Sequence, residues 1–252
     1  MAGGMGSRYG GLKQVDSFGP NNESILDYSI YDAVKAGFTK VVILSSPKLK
    51  KYFEDKYFKI FKNKIECDLD IVIQDPNYGL GSYKLPKTRE KPWGTGHAVL
   101  CCENFIENSF SIINADDFYG RGAFYKILET LKFIESNNIQ SSIVSYMIEN
   151  TLSEFGGVSR GVCETENNTL LSIKETHELQ EKDNVVIGKY DNETVYHNLG
   201  TQVAMNLIGF QKTIFKKLNN DFSIFLSNNI SDPKKEFLIP DVVNDLIEDK
   251  VH

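Results

Sequence analysis

Cysteine is scarce in this chain: four residues in 252, none of them in a C-x-x-C pair. Cys67, Cys101, Cys102 and Cys163 therefore supply neither a disulfide framework nor a zinc-binding spacing, and they read as thiols of a reducing compartment. Long apolar runs are missing as well. No stretch reaches the roughly 18 residues a membrane span needs, and no basic-then-apolar leader opens the chain. A cytoplasmic protein with no membrane partner is the expectation. Positive charge is in deficit, with 28 Lys plus Arg against 34 Asp plus Glu, a net charge of −6. Such a chain is a poor nucleic-acid binder, so an anionic ligand has to be held by a local site rather than by the whole surface. Histidine is rare too, and His97, His177 and His197 show no metal-ligand spacing.

What is present is an alternation of apolar strands and amphipathic helices. "SILDYSIYDAVKAG" puts Leu26, Ile30, Ala33 and Val34 on one helical face and ends on Gly37. "KVVILSS" is a buried strand, Pro47 opens a helical segment, and "DLDIVIQD" is a second strand. A long polar loop follows from Pro76 to Gly96, of a length that is usually functional or mobile. "HAVLCCENFI" reads as helix, "FSIINADD" as a strand running into two aspartates, and Phe124, Ile127, Leu128, Leu131 and Ile134 as one face of a helix. "SSIVSYMIE" is a further strand. This order predicts an α/β fold with a Rossmann-like mixed, mainly parallel sheet flanked by helices. After Thr151 short strands dominate, then helices from Gln211 and from about Pro240. Residues 1–252 read as one domain, an α/β half (1–150) and a β-rich half with C-terminal helices (151–252).

The first residues, "MAGGMGSRYGGLKQ", are a glycine loop of the kind that cradles phosphate. The dinucleotide fingerprint fails because Tyr9 stands where its third glycine belongs, and the P-loop pattern fails because Leu12 follows Gly11. The stretch resembles instead the signature loop of the nucleoside-diphosphate-sugar pyrophosphorylases (sugar-1-phosphate nucleotidylyltransferases). Ala2, Gly3, Gly4, Gly6, Ser7 and Arg8 match in order, and Lys13 stands at the place of that family's catalytic lysine. An Arg fork and a Lys point charge suit phosphate oxygens.

The resemblance continues along most of the chain. "GTGHAVL" is similar to the segment that lies against the nucleobase, which implies nucleotide contacts at Gly94 and Gly96. "FSIINADDFYG" resembles the strand ending in a metal aspartate, Asp116, with Asp117 available as a helix cap. "EFLIPDVVNDL" matches the stretch with a second metal aspartate, Asp241, which reads equally well as a helix cap. Sugar contacts are implied at Gly156, Glu175 and Asn206; the first also reads as a turn and the last as a strand-end cap. The implied cofactor is Mg²⁺, and the implied partners are a nucleoside triphosphate and a sugar 1-phosphate, with homo-oligomerisation left open. The family's signature loop follows a central apolar strand, of which Met1–Ala2 is the last stub, and relatives continue past "EDKVH". The expectation is a chain truncated at both ends.

Overall fold

A computed structural model describes residues 1–2, 17–64 and 66–248, the side chains of 62–64 excepted. The glycine loop from Gly3 to Gln14 lies outside the described residues.

Helix α1 (Ile25–Ala36) starts where the Asp27 carboxylate accepts the Ser24 N–H at 2.6 Å, the reciprocal half of a capping box. It ends at Gly37, whose φ of 115° only glycine adopts without strain. Strand β1 (Lys40–Ser45) leads into α2 (Pro47–Phe53), which passes through a π-helical turn (Glu54–Phe58) into α3 (Lys59–Lys64). Phe53 and Tyr57 are buried here and stack at 6.0 Å. Strand β2 (Asp68–Ile73) pairs with β1 in parallel, Lys40 opposite Asp68 through Ser45 opposite Ile73. Then come α4 (Thr95–Leu100), β3 (Phe110–Ile112), α5 (Arg121–Asn137) and β4 (Ser141–Met147). The remaining elements are β5 (Val158–Glu166), β6 (Thr169–Lys182), β7 (Val185–Tyr190), β8 (Glu193–Asn198), β9 (Gln202–Phe210), α6 (Ile214–Asn229) and α7 (Ile239–Glu248).

The architecture is mixed α/β, with helices against a sheet, as the pattern predicts. Among the described residues, however, parallel pairing is confined to β1–β2 and to a bridge between Ala2 and Ser45. The seven-stranded sheet runs β3-β9-β5-β6-β7-β8 with β4 on the other edge of β9, and every pair in it is antiparallel. The expected mixture of parallel and antiparallel pairs is present, but among the described residues antiparallel pairs predominate. The physical reason is β9, which returns from the β-rich half and takes the places beside β3 and β4 that a crossover strand would otherwise fill.

Between β1 and β3 lies a slot one strand wide. At its carboxyl end the Ala2 N–H donates to Leu44 O at 2.7 Å and the Ala115 N–H donates to Met1 O at 3.0 Å. The Met1 ammonium donates to Ile113 O at 2.6 Å. Met1–Ala2 thus makes backbone hydrogen bonds to both neighbours. Further along, cavities of about 310 and 110 Å³ open on the two faces of the slot, lined by Val42 and Leu44 on one side and Val41 and Ile43 on the other.

The core is held by α6 and α7 packing on the first half. Phe222 of α6 meets the fully buried Trp93 edge-on at 6.0 Å. Burying each such aromatic or aliphatic side chain contributes roughly 1.5–3 kcal/mol. The long loop before α4 is anchored, not loose. The Trp93 indole N–H donates to Pro76 O at 2.8 Å, and the Arg89 guanidinium sits 3.6 Å over the Trp93 ring. Arg89 also donates to the carbonyls of Asp232, Pro92 and Lys235 at 2.8–3.0 Å.

Candidate functional site

Of the described candidates, Ala2, Gly94 and Asp116 lie at or just beyond the carboxyl ends of β1, β2 and β3, where open α/β sheets bind ligands. Ala2, one of the expected loop residues, is buried and bonded to β1 there, and the chain leaves it for Gly3. Next to Ser45, its bridge partner, the Gln74 N–H donates to Ser45 O at 3.2 Å. The Gln74 side-chain amide then donates to Gly94 O at 3.0 Å and faces His97 Nδ1 at 3.2 Å. His97 is fully buried, with Nε2 3.0 Å from Tyr78 O. A carbonyl only accepts, so Nε2 carries the proton and Nδ1 accepts from Gln74. Burial lowers the His97 pKa from 6.5 to about 4, which keeps this tautomer neutral. Burial likewise pushes the Cys101 and Cys102 thiols up to about 12, so both are protonated and chemically quiet at neutral pH.

Gly94 and Gly96 have a definite structural task. The Phe237 N–H donates to Trp93 O at 2.6 Å and the Gly96 N–H donates to Phe237 O at 2.9 Å. A Cβ on Gly94, whose φ is 103°, would lie 2.5 Å from Phe237 O, and one on Gly96 would lie 2.7 Å from the Phe237 ring. The glycines thus make room for the 237–239 segment, and Thr95 Oγ1 accepts the Ile239 N–H at 3.0 Å. This pairing seats the start of α7, and with it Asp241, against the expected base-binding segment. Asn244 holds the other side of α7 by taking the Ile173 N–H of β6 at 3.2 Å. Asp241 lies in the first turn of α7, inside the helix and not at its cap. Partial burial and the neighbouring Asp245 raise its pKa above the ordinary carboxylate value.

The segment after β3 is a compact turn. Asp116 is exposed and makes no hydrogen bond to the described residues. Asp117 is no helix cap: Gly120 precedes the first residue of α5, and Asp117 accepts the Asn114 side-chain amide at 2.9 Å. Tyr119, buried to 4% exposure, turns back beneath this turn. Its hydroxyl accepts the Asn114 N–H and donates to Met205 O, both at 2.9 Å.

Asn206 follows Met205 in the middle of β9, not at a strand end, and its φ is 59°. Three residues of β9, 205–207, stand against Val144 alone in β4, a bulge of the kind that re-aims side chains beside ligand sites. The same edge of β9 pairs with β3 at Ile208–Phe210 and with β5 at Val203–Ala204, so those strands part at Asn206. Gly156 lies in an open turn before β5 with φ 141° and nothing near its Cβ position, consistent with the turn alternative. Glu175 is exposed on β6 opposite Gly161. Among the described residues no hydrogen bond or ion pair links either of them to Gln74, Gly94 or Asp116.

Gly3, Gly4, Gly6, Ser7, Arg8 and Lys13 lie outside the described residues. Among the described residues no three His, Cys, Asp or Glu side chains converge as a metal cage. Asp116 and Asp241 offer hard carboxylate oxygens on exposed positions. That donor set fits Mg²⁺, which is commonly held by one or two carboxylates together with substrate phosphates. Gln74, Tyr119 and Phe237 were not singled out from sequence. A polar Gln directly after the apolar run "DLDIVI" was a readable signal; nothing in the local sequence marks the other two.

No helix among the described residues is long and apolar enough to cross a membrane. A search of curated protein sequences gives no match. Among solved structures, the fold is similar to that of a protein described as a glucose-1-phosphate thymidylyltransferase from Bacillus anthracis, with TM-score 0.61, 13% identity, and coverage of 99% of this chain and 82% of that one. It is also similar to the inositol-1-phosphate CTP transferase of T. maritima, with TM-score 0.56, 12% identity and coverage of 98% and 79%. An apo UDP-glucose pyrophosphorylase superposes with TM-score 0.53, 16% identity and coverage of 99% and 85%. At these identities the likeness is one of fold. The family model described as nucleotidyl transferase matches residues 1–207, from the glycine loop through the Asn206 bulge. The chain belongs to the nucleotidyl transferase family.

Proposed function

We propose that this protein transfers a nucleotidyl group from a nucleoside triphosphate to a sugar 1-phosphate in a Mg²⁺-dependent reaction. An oxygen of the sugar phosphate attacks the α-phosphorus, the bond to the β-phosphate oxygen breaks, and pyrophosphate leaves with the electron pair. The nucleophile is already an anion, so no general base is required. The protein's task is to bring like charges together and stabilise the charge that develops. The observation that carries this reading is the chain of contacts at the strand ends. It runs from Ala115, the neighbour of Asp116, through Met1–Ala2, Ser45, Gln74 and the 93–96 segment to Phe237 and α7, in a member of the nucleotidyl transferase family.

In this reading Arg8 and the backbone amides of Gly3, Gly4, Gly6 and Ser7 hold the triphosphate, and Lys13 meets the charge near the α-phosphate. Gln74, Gly94 and Gly96 border the base. Asp116 and Asp241 would hold Mg²⁺, which would supply positive charge to neutralise the phosphates. Asn206, re-aimed by its bulge, faces the sugar phosphate, with Glu175 and Gly156 farther out on the β-rich half. Four unpaired thiols suit a cytoplasmic setting.

A pyrophosphate-release screen over four nucleoside triphosphates and several sugar 1-phosphates tests the proposal. Turnover with a sugar 1-phosphate that requires Mg²⁺ supports it, and Lys13→Ala should then reduce the rate about 10²-fold. The likeness to an inositol-phosphate CTP transferase favours one rival, a cytidylyltransferase acting on a non-sugar phosphate. Turnover confined to CTP with a polyol phosphate selects it. Nucleotide binding with no Mg²⁺-dependent turnover of any pair means a non-catalytic nucleotide-binding module.

A further inference from the structure

We infer that Tyr119 is a positioning residue that couples the Asp116 turn to the Asn206 bulge, so that the metal carboxylate and the sugar-side contact move as one unit. The inference rests on the nucleotidyl-transfer reading for its chemistry and on the following geometry for its structure.

Strands β3 and β9 pair with Phe110 opposite Phe210 and Ile112 opposite Ile208. Continued by one step, that register sets Asn114 opposite Asn206. The ladder does not continue there, because β9 bulges and Asn206 turns left-handed. The backbone N–H of Asn114 and the carbonyl of Met205 would lose strand partners at this point, and neither group is fully exposed. The Tyr119 hydroxyl is inserted between them. It accepts from Asn114 N and donates to Met205 O, each at 2.9 Å, and so replaces one rung of the ladder with a side chain.

The rung is held from behind. The Tyr146 hydroxyl of β4 donates to Tyr119 O at 3.1 Å, and the Tyr119 ring packs edge-on against Phe124 at 6.3 Å. Burial and nearby Asp117 raise the phenol pKa well above its ordinary value, so the donated proton stays in place at any working pH. Tyr119 does not touch a reacting atom. It sets the distance between the turn that presents Asp116 and the bulge that presents Asn206. A nucleotidyl transferase with Mg²⁺ on one of these elements and the sugar phosphate on the other needs that distance fixed, because a displacement of about 1 Å can cost 10²-fold in rate.

The test is Tyr119→Phe in the full chain, compared with Tyr146→Phe, which removes a partly buried phenol hydroxyl of the same cluster but leaves the rung itself. With UTP, dTTP, CTP and glucose 1-phosphate as probes, Tyr119→Phe should raise the KM for glucose 1-phosphate and the half-saturating Mg²⁺ concentration about 10-fold each. The KM for the triphosphate should stay within about twofold, and Tyr146→Phe, which loosens the support of the rung without removing it, should shift the other two constants clearly less than Tyr119→Phe does; equal shifts in the two variants overturn the inference. A general loss of structure would raise all constants together, and that pattern overturns the inference. Unchanged constants in Tyr119→Phe overturn it as well. If the wild type turns over none of these pairs, the full screen above judges the functional reading separately, and amide hydrogen exchange decides the coupling. Tyr119→Phe must then speed exchange at residues 114–117 and 205–207 together; faster exchange in one segment alone, or in neither, overturns it.

Discussion

The carbonyl oxygen of Phe237 accepts the N–H of Gly96 at 2.9 Å and lies 2.5 Å from the point that a Cβ on Gly94 would occupy. Two segments 140 residues apart in the chain are thereby zipped together at the candidate base-binding wall. Gly94→Ala combines a left-handed φ with a backbone collision that no rotamer relieves. It should destabilise the protein by about 2–4 kcal/mol. Thermal melts of the variant check this. A melting temperature equal to the wild type would mean that the 93–96 and 237–239 segments are not paired in solution.

Asp116 and Asp117 are neighbours with different surroundings, and their variants should separate. Asp116→Asn keeps the shape and removes the charge, so Mg²⁺-dependent turnover should fall steeply and recover only in part with excess Mg²⁺. Asp117→Asn should be milder, since an amide oxygen can still accept from Asn114 at the same place. Titrating Mg²⁺ against pyrophosphate release ranks the two. The opposite ranking would transfer the ligand role to Asp117.

His97 makes stability depend on acidity. Its folded pKa of about 4 is below the ordinary 6.5, so the unfolded chain binds the extra proton first as pH falls. The stabilisation is fully present above pH 6.5 and is lost progressively down to about 4, to the extent of roughly 3 kcal/mol. Urea unfolding at a series of pH values measures it. His97→Gln should be less stable at pH 7 but lose less on acidification; an unchanged slope in that variant would assign the acid sensitivity to other groups.

The slot between β1 and β3 gives a prediction about the backbone. Met1 as a whole is half-buried, but its amino group is enclosed between strands, and burial lowers its pKa from 8.0 to about 6. In a polypeptide starting at Met1, stability should therefore rise as pH goes from 6 to 8, by up to about 3 kcal/mol. Joining an apolar, β-branched segment of about five residues ahead of Met1 replaces the ammonium with an amide and fills both cavities with side chains. The melting temperature should rise by about 10 °C and the pH dependence in that window should vanish. Differential scanning calorimetry at pH 6 and pH 8 reads both effects, and an extension that leaves the melt unchanged would show that the slot does not accept a strand.

Sequence by itself determined many of the elements and the family to which the chain belongs. The 3.6-residue spacing of Phe124, Ile127, Leu131 and Ile134 dictates α5, and all four are buried. The apolar runs "KVVILS" and "DLDIVI" dictate β1 and β2 because only strands covered on both faces tolerate such continuity. The order of Ala2, Gly3, Gly4, Gly6, Ser7 and Arg8, with Asp116 at a strand end, was enough to indicate the family, since phosphate chemistry restricts residue types locally. Tertiary structure alone decided what long-range partners determine. Strand direction in the large sheet follows from where β9 inserts, and no local pattern records that. The task of Gly94 and Gly96 depends on Phe237, more than 130 residues away. The left-handed turn of Asn206 and the rung supplied by Tyr119 exist only because β3 and β5 share one edge of β9 and must part somewhere. A hydrogen bond between distant backbone groups imposes almost nothing on the sequence between them, so it becomes visible only when the chain is folded.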